Sequence, residues 1–391
     1  MKPRKQVTQP LTEKLETEAL EAGDTPPSHV DDHAFPSNQA ILRSAFRYKI
    51  IRRLGDGGMG RAFLAYEYDS IDTFRLVALK MLHAPEDVAL QKTFSMEAKL
   101  MRLMNHPNIL TVHGFEKGTT GIEKFLSTLG VMESYASFMV MEYVPGFNIE
   151  SLIRLHKQKG IYMLPQVAAY LTSRIARGLA YAHEFKFPGI SAHGVIHRDI
   201  TPTNALIHED GRLKISDFGI AYPYDPETEN PRMCGTPIYI APEVLGGEKP
   251  TAMSDVYSAG LLLEQMLLGN PRYLPIQNQS GPEMAKTQHR RILKRKFQGE
   301  SFRHVHQRLV AICYNATTTD PAMRYQTARD LAVDLEIFLH NFDCSIGPQQ
   351  MAVYMDALQS DNPAKYHSRE FIMINGKENI DFTPFGGGAR T

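Results

Sequence analysis

The chain has 391 residues, 43% hydrophobic and 22% charged, the balance of a soluble globular protein and too long for one ordinary core of about 100–200 residues. Lys plus Arg (43) cancels Asp plus Glu (43), which argues against general nucleic-acid binding. No apolar run reaches about 18 residues, and Met1–Pro10 is polar, so neither a membrane span nor a signal peptide is expected. Cys234, Cys313 and Cys344 lie far apart, which excludes a CxxC zinc site or disulfide scaffold and points to a reducing, cytoplasmic compartment.

Residues 1–44 carry five Lys or Arg against seven Asp or Glu, with three prolines in Asp24–Ser37. So little apolar surface cannot offset the entropy of ordering, and a disordered polar tail is predicted, with Leu11, Leu15 and Ala19 on one face of a short helix over Leu11–Ala22. From Tyr48 the pattern changes. Tyr48–Leu54, Ala62–Tyr68 and Leu76–Met81 read as strands, Thr93–Asn105 as an amphipathic helix and Phe138–Tyr143 as a further strand. Between them, Glu116–Tyr135 contains Phe125, Leu126, Leu129, Val131 and Met132, either a short packed helix or a docking surface. Helical periodicity then dominates in Gln166–His183, Thr251–Leu268, His304–Tyr314 and Ala328–Phe342, with a surface loop expected at Phe185–His193. Residues 341–391 turn polar and end in Gly386–Gly388, predicting a second flexible tail. Strands first and helices afterwards imply an α+β fold of two lobes.

Gly55-Asp56-Gly57-Gly58-Met59-Gly60 fits G-x-G-x-x-G. Alone this is a weak signal, shared by dinucleotide sites and plain turns. Its glycines let backbone N–H groups approach phosphate oxygens. A dinucleotide site needs them to open a helix, whereas Arg61–Tyr68 continues as a strand, the arrangement of a flap over phosphates. Lys80 ends the apolar Val77-Ala78-Leu79-Lys80. A buried ammonium needs a partner, for which Glu97 on the following helix is the candidate; a snorkelling edge lysine is the alternative. His197-Arg198-Asp199-Ile200-Thr201-Pro202-Thr203-Asn204 and Asp217-Phe218-Gly219 flank a short hairpin. Asn204 and Asp217 offer hard oxygen ligands suited to Mg2+, leaving Asp199 to accept a proton from a hydroxyl.

In this order, together with Ala241-Pro242-Glu243, these motifs resemble the eukaryotic-type protein kinase family over roughly residues 45–340, most closely its bacterial Ser/Thr branch. The resemblance implies a bilobal α+β kinase fold, with an N-lobe over 45–143 and a C-lobe over 144–340. It implies transfer of the γ-phosphoryl of ATP, with Mg2+, to Ser/Thr hydroxyls of protein substrates. By the same resemblance Lys80, held by Glu97, grips the α- and β-phosphates under the loop Gly55, Asp56, Gly57, Gly58 and Gly60. Asp199 orients the hydroxyl, and Asn204 and Asp217 bind Mg2+. Ala62, Ala78 and Met141 enclose adenine, Glu142 and Val144 present hinge backbone groups, and Asn148 contacts ribose. Glu243 pairs with Arg324, and Asp255 anchors the catalytic loop, both structural contacts.

Two positions depart from the family. Ala62 replaces the usual Val, removing about 1–2 kcal/mol of apolar contact with adenine. Thr201 replaces the Lys that stabilises the transferring phosphoryl group in Ser/Thr kinases, and tyrosine kinases also lack that Lys. Pro202 and Gly235-Thr236-Pro237-Ile238-Tyr239-Ile240-Ala241-Pro242-Glu243 keep the reading on Ser/Thr. Thr236 reads as a structural part of the docking segment, and Thr228 as the autophosphorylation site. Lys286–Lys296, with six Lys or Arg and no acid, reads as a solvated face or an acidic-partner dock. His304 and His306 read as surface side chains and Cys234 as a small packed one; Phe382–Phe385 resembles the aromatic tail of some kinases, but no other feature of that branch is present. The rival functions are an ATP-binding pseudokinase scaffold and a small-molecule kinase.

Overall fold

Period-two alternation in the first part of the chain becomes a six-stranded sheet in a computed structural model of the protein. Its described residues are 41–43, 47–56, 60–69, 73–82, 88–117, 137–186, 194–218, 236–270, 305–341 and 346–360. They fall into two compact units, divided at Gln91/Lys92, Val112/His113 and Pro145/Gly146.

The first unit holds strands β1 (Ile41–Arg43), β2 (Arg47–Asp56), β3 (Gly60–Tyr68), β4 (Phe74–Leu82), β5 (Val112–Lys117) and β6 (Ser137–Glu142), in sheet order β1-β2-β3-β4-β6-β5. The antiparallel register sets Ala62 opposite Lys80, Lys80 opposite Met139, and Ala78 opposite Met141. Alternation therefore sends Phe63, Ala65, Val77, Leu79, Met81, Phe138 and Val140 to one face, where they cluster with Tyr48, and Ala62, Ala78 and Lys80 to the other. Gly60 is required where it stands, because a Cβ there would lie 2.1 Å from the Met81 carbonyl oxygen. The Tyr48 ring meets Phe138 edge-on at 5.4 Å, and its hydroxyl lies 3.0 Å from Glu67 Oε1 and 2.8 Å from Glu116 Oε1. Burial, then the neighbouring carboxylates, push its pKa upward.

Helix α1 (Val88–Leu103) follows β4, and from Lys92 onward the chain to Val112 groups with the second unit. Main-chain bonds explain it: Leu110 N donates to Ile215 O and Ile215 N to Asn108 O, both at 2.9 Å, while Asn108 Nδ2 donates to Leu213 O. That unit contains the three-stranded sheet β7 (Gly146–Asn148), β8 (Ala205–His208) and β9 (Leu213–Ile215). Its helices are α2 (Ile149–Lys159), α3 (Pro165–Glu184), α4 (Pro242–Leu245), α5 (Ala252–Leu268), α6 (Gln307–Ala316), α7 (Ala328–Asn341) and α8 (Pro348–Gln359). Helix α3 packs against both α5 and α7. Capping residues set several ends: Asn148 Oδ1 accepts Ser151 N at the start of α2, Thr251 and Ser254 form a capping box on α5, and His306 caps α6.

Three elements lie outside those expected. Strand β1 lies inside the predicted tail 1–44 and is fixed by pairing Ile41 with Lys49. Helix α8 lies inside the predicted tail 341–391, with Met351, Tyr354, Met355, Ala357 and Leu358 buried. Helix α2 was not anticipated. The expectations for residues 1–40, Gly57, Gly58, the 118–136 part of Glu116–Tyr135, 187–193, Thr228, Cys234, 286–296, His304 and the tail from 361 fall outside the described residues. Among the described residues no helix is long and apolar enough to cross a membrane.

Burial holds His156 neutral, its pKa pushed down to about 4, and it likewise lowers those of His106, His113 and His197. Below pH 6.5 the unfolded chain therefore binds protons that the folded chain refuses, so stability falls as pH drops from 6.5 toward 4. Urea titrations should show each such histidine contributing up to roughly 1.4 kcal/mol of loss per pH unit. His156→Gln should flatten the slope by one such contribution.

Candidate active site

The segment 196–204 has no regular secondary structure before the single 3₁₀ turn Pro202–Asn204, so its shape comes from side-chain bonds. Asp255, buried in the first turn of α5, supplies the main ones: its Oδ2 accepts His197 N at 2.7 Å and its Oδ1 accepts Arg198 N at 2.8 Å. His183 Nε2, from α3, lies 2.7 Å from the same Oδ2. Burial alone would raise the Asp255 pKa, but the His183 bond and charge and the His197 donor hold it below the usual aspartate range. Asp255 thus anchors the catalytic loop as the sequence implied.

The loop then turns Asp199 toward Asn204. Asn204 Nδ2 donates to both the Asp199 carbonyl oxygen and Oδ2 at 3.0 Å. The other carboxylate oxygen, Oδ1, accepts Thr236 N at 2.9 Å and the Thr236 hydroxyl at 3.0 Å. Thr201 is buried, its hydroxyl shared with that of Thr203 at 2.9 Å. Across the hairpin, Ser216 N donates to Asn204 O at 2.9 Å, so Asp217 directly follows a residue bonded to the Asn204 backbone. Among the described residues the two non-glycine positions with left-handed backbone are Arg198 (φ 69°) and Asp217 (φ 65°), one at each side of this constellation. Such conformations cost about 1–3 kcal/mol each and persist where surroundings enforce them. His197 does part of the enforcing: its ring packs 4.3 Å from Phe218, and its Nε2 lies 3.0 Å from Ser216 O. Burial lowers its pKa, so the imidazole is neutral, donating from Nε2 and accepting Asp199 N at Nδ1.

In the first unit, β3 and β4 bring Ala62, Ala78 and Lys80 onto one face, with Lys80 buried and Met141 on the neighbouring strand β6. Glu142 and Val144 follow, both half-buried. Asp56, at the end of β2, is engaged by Arg53 and lies 3.8 Å from Arg61. Glu97 is buried on α1, and Asn148 spends its side-chain oxygen capping α2. The side-chain oxygen of Asn204, Oδ1, takes a long 3.4 Å bond from the Thr203 hydroxyl. An amide oxygen and the Asp217 carboxylate are hard donors of the type that suits a divalent cation.

A family model described as protein kinase domain matches residues 48–334. The chain belongs to the protein kinase domain family. A probable serine/threonine-protein kinase of Streptomyces coelicolor is 31% identical over 301 residues, 75% of this chain and 40% of that protein. Serine/threonine-protein kinase PrkC of Bacillus subtilis is 29% identical over 299 residues, 75% of this chain and 41% of that one. The chain thus spans about two fifths of the length of these curated relatives. The solved kinase domain of Mycobacterium tuberculosis PknI aligns with a TM-score of 0.52 at 21% identity, covering 76% of this chain and 98% of that one, which supports the protein-kinase fold.

This kinase domain also carries the anticipated buried pair beside its docking segment. Arg324 donates in parallel to both carboxylate oxygens of Glu243 at 2.7 Å, to Thr318 O and Thr319 O, and lies 4.8 Å over the Tyr257 ring. Ser254 adds a donor to Glu243 at 3.0 Å. Thr236 is the site residue that sequence reasoning left out. The sequence marks it only as part of the docking segment, and its link to Asp199 spans 37 positions of chain that no local pattern reports. Arg324→Ala should leave Glu243 buried without its cation and lower the unfolding free energy by about 3–5 kcal/mol, measured by chemical denaturation.

Proposed function

We propose that this chain is a Ser/Thr protein kinase, transferring the γ-phosphoryl group of Mg-ATP to hydroxyls of proteins, itself included, in the cytoplasm. The observation that carries the reading is the Asp199 carboxylate, held at one oxygen by Asn204 and at the other by Thr236, within a loop fixed by Asp255. The Streptomyces and Bacillus relatives, both named as serine/threonine-protein kinases, support the Ser/Thr class.

In this reading Asp199 receives the proton of the substrate hydroxyl as its oxygen bonds to the γ-phosphorus and the bond to the bridging oxygen of ADP breaks. The donors on both of its oxygens fix the rotamer, so the acceptor is in place before substrate arrives. Asn204 and Asp217 hold Mg2+, which when bound neutralises charge on the phosphates. Lys80, with Glu97 as its counter-ion, takes the α- and β-phosphates, under backbone N–H groups of Gly55, Asp56, Gly57, Gly58 and Gly60. Ala62, Ala78 and Met141 enclose adenine, Glu142 and Val144 offer backbone groups to its edge, and Asn148 meets the ribose. Thr228 is the autophosphorylation site.

Purified protein incubated with ³²P-labelled Mg-ATP and a generic basic protein should incorporate label on Ser or Thr. Asp199→Asn should lower that rate by about a hundredfold to ten-thousandfold. Label on Tyr would overturn the substrate class, and nucleotide binding without transfer would make the chain a scaffold. Thr236→Ala should lower kcat by about 10- to 100-fold, the cost of one hydrogen bond to a charged group, while Thr236→Ser retains most activity.

A further inference from the structure

Helix α8 lies beyond residue 334, where the family match ends, yet it is seated on the far ends of elements whose near ends carry Asn148, Asn204 and Asp217. Helix α2 starts directly after Asn148, β8 directly after Asn204, and β9 ends two residues before Asp217. Register ties the three together, with Asn148 opposite Leu206 and Ala205 opposite Ile215. A displacement at the far ends of such short strands has little slack in which to be absorbed, since packed interiors transmit strain.

Three contacts seat α8. At its start, the β8–β9 turn comes backbone to backbone: Gly211 has φ +84°, and a Cβ there would lie 1.9 Å from Pro348 O and 2.8 Å from Ala352 N. At its middle, the buried Tyr354 hydroxyl lies 2.6 Å from His156 Nε2 on α2. His156 Nδ1 faces Leu152 O at 2.8 Å and must donate there, so Nε2 accepts the tyrosine proton. Leu164 N donates to the same hydroxyl at 3.5 Å, and the two rings stack at 5.8 Å. At its end, Lys159 Nζ donates to Ser360 O at 3.3 Å. The helix therefore touches the hairpin turn and both the middle and the end of α2.

We propose that α8 is a positioning element of the phosphoryl-transfer site, fixing the spacing between Asn148 and the Asn204–Asp217 pair, with Tyr354 as the positioning residue through which it holds α2. This rests on the roles given above to Asn148, Asn204 and Asp217. A helix that only added buried surface would change stability and leave ligand affinities alone. A positioning helix changes how well Mg2+ and ATP are held at temperatures where the protein is fully folded.

The test uses the full chain with Tyr354→Phe, which keeps the ring and removes the hydroxyl, and with Tyr354→Ala. Half-saturating Mg2+ and the KM for ATP are measured well below the calorimetric unfolding temperature, alongside the KM for the protein substrate. Tyr354→Phe should raise the Mg2+ and ATP values about threefold and Tyr354→Ala about tenfold, with the protein-substrate KM within about twofold of wild type. If Tyr354→Ala does not fold, Tyr354→Phe decides alone. A lower unfolding temperature with unchanged Mg2+ and ATP values would overturn the proposal. Asp217→Asn separates the two levels: if it leaves the Mg2+ dependence unchanged, the metal reading itself falls and this proposal with it. A large Asp217 effect beside a silent Tyr354 removes only the role of α8.

Discussion

Asp255 has none of its surface exposed, yet two backbone N–H groups and the His183 ring converge on its carboxylate from the catalytic loop and from α3. A charge so buried is tolerable only when its lone pairs are satisfied, and charge-assisted bonds are roughly twice as strong as neutral ones. Its place in the first turn of α5 adds the favourable end of the helix dipole. The bond to Arg198 N falls on a residue forced into left-handed backbone, so the carboxylate offsets the local strain that turns Asp199 outward. His197, fixed by its own backbone bond to Asp255, carries the constraint onward to Ser216 and Phe218. One buried acid thereby sets the loops that bear both Asp199 and Asp217.

The second buried charge pair, Glu243 with Arg324, plays a different part. Its two parallel bonds, with carbonyl acceptors for the remaining guanidinium hydrogens, leave almost no alternative arrangement for the segment that includes Tyr239 and Ala241. Buried pairs of this kind add little net stability over apolar replacements, but breaking one is costly. Ser258 joins the same segment to α5 through a 2.8 Å bond to Tyr239 O. Helix α5 therefore anchors the catalytic loop at Asp255 and the docking segment at Ser254 and Ser258. Thr236, a few residues before that anchored segment, can then reach Asp199.

How much of this was legible follows from how local each signal is. The strands around Lys80 and the helices α3, α5 and α7 follow from period and caps, which a short window of sequence contains. Asp199, Asn204 and Asp217 were readable because their residue types and spacing carry chemistry. Helix α2 carries the same kind of local signal, Ile149, Leu152, Ile153 and His156 at i, i+3, i+4 and i+7 between the caps Asn148 and Gly160, and was legible though not read. Helix α8 was missed because Pro348-Gln349-Gln350 looks like a tail; its order depends on Tyr354 meeting His156, 198 positions earlier. Likewise the grouping of residues 92–112 with the helical unit is set by bonds to Leu213 and Ile215, which no local pattern reveals.

The replacement of the usual Lys by Thr201 now has a physical context. In the proposed reaction, a lysine beside Asp199 would bring a full positive charge to that carboxylate and to the incoming phosphoryl group. Here the donors to the Asp199 carboxylate are an amide nitrogen, a backbone N–H and a hydroxyl, all neutral. Thr201, turned to Thr203 and buried, contributes to the shape of the loop and not to its charge. Neutral donors can fix the Asp199 rotamer as firmly as a cation, since direction depends on geometry. They cannot match a cation in stabilising negative charge that spreads over phosphoryl oxygens in the transition state, where electrostatic terms dominate. In the proposed reaction that stabilisation would come from Lys80 and from a cation held by Asn204 and Asp217. The demand falls on how accurately those groups are placed, and the elements carrying Asn204 and Asp217 are the ones that α8 backs.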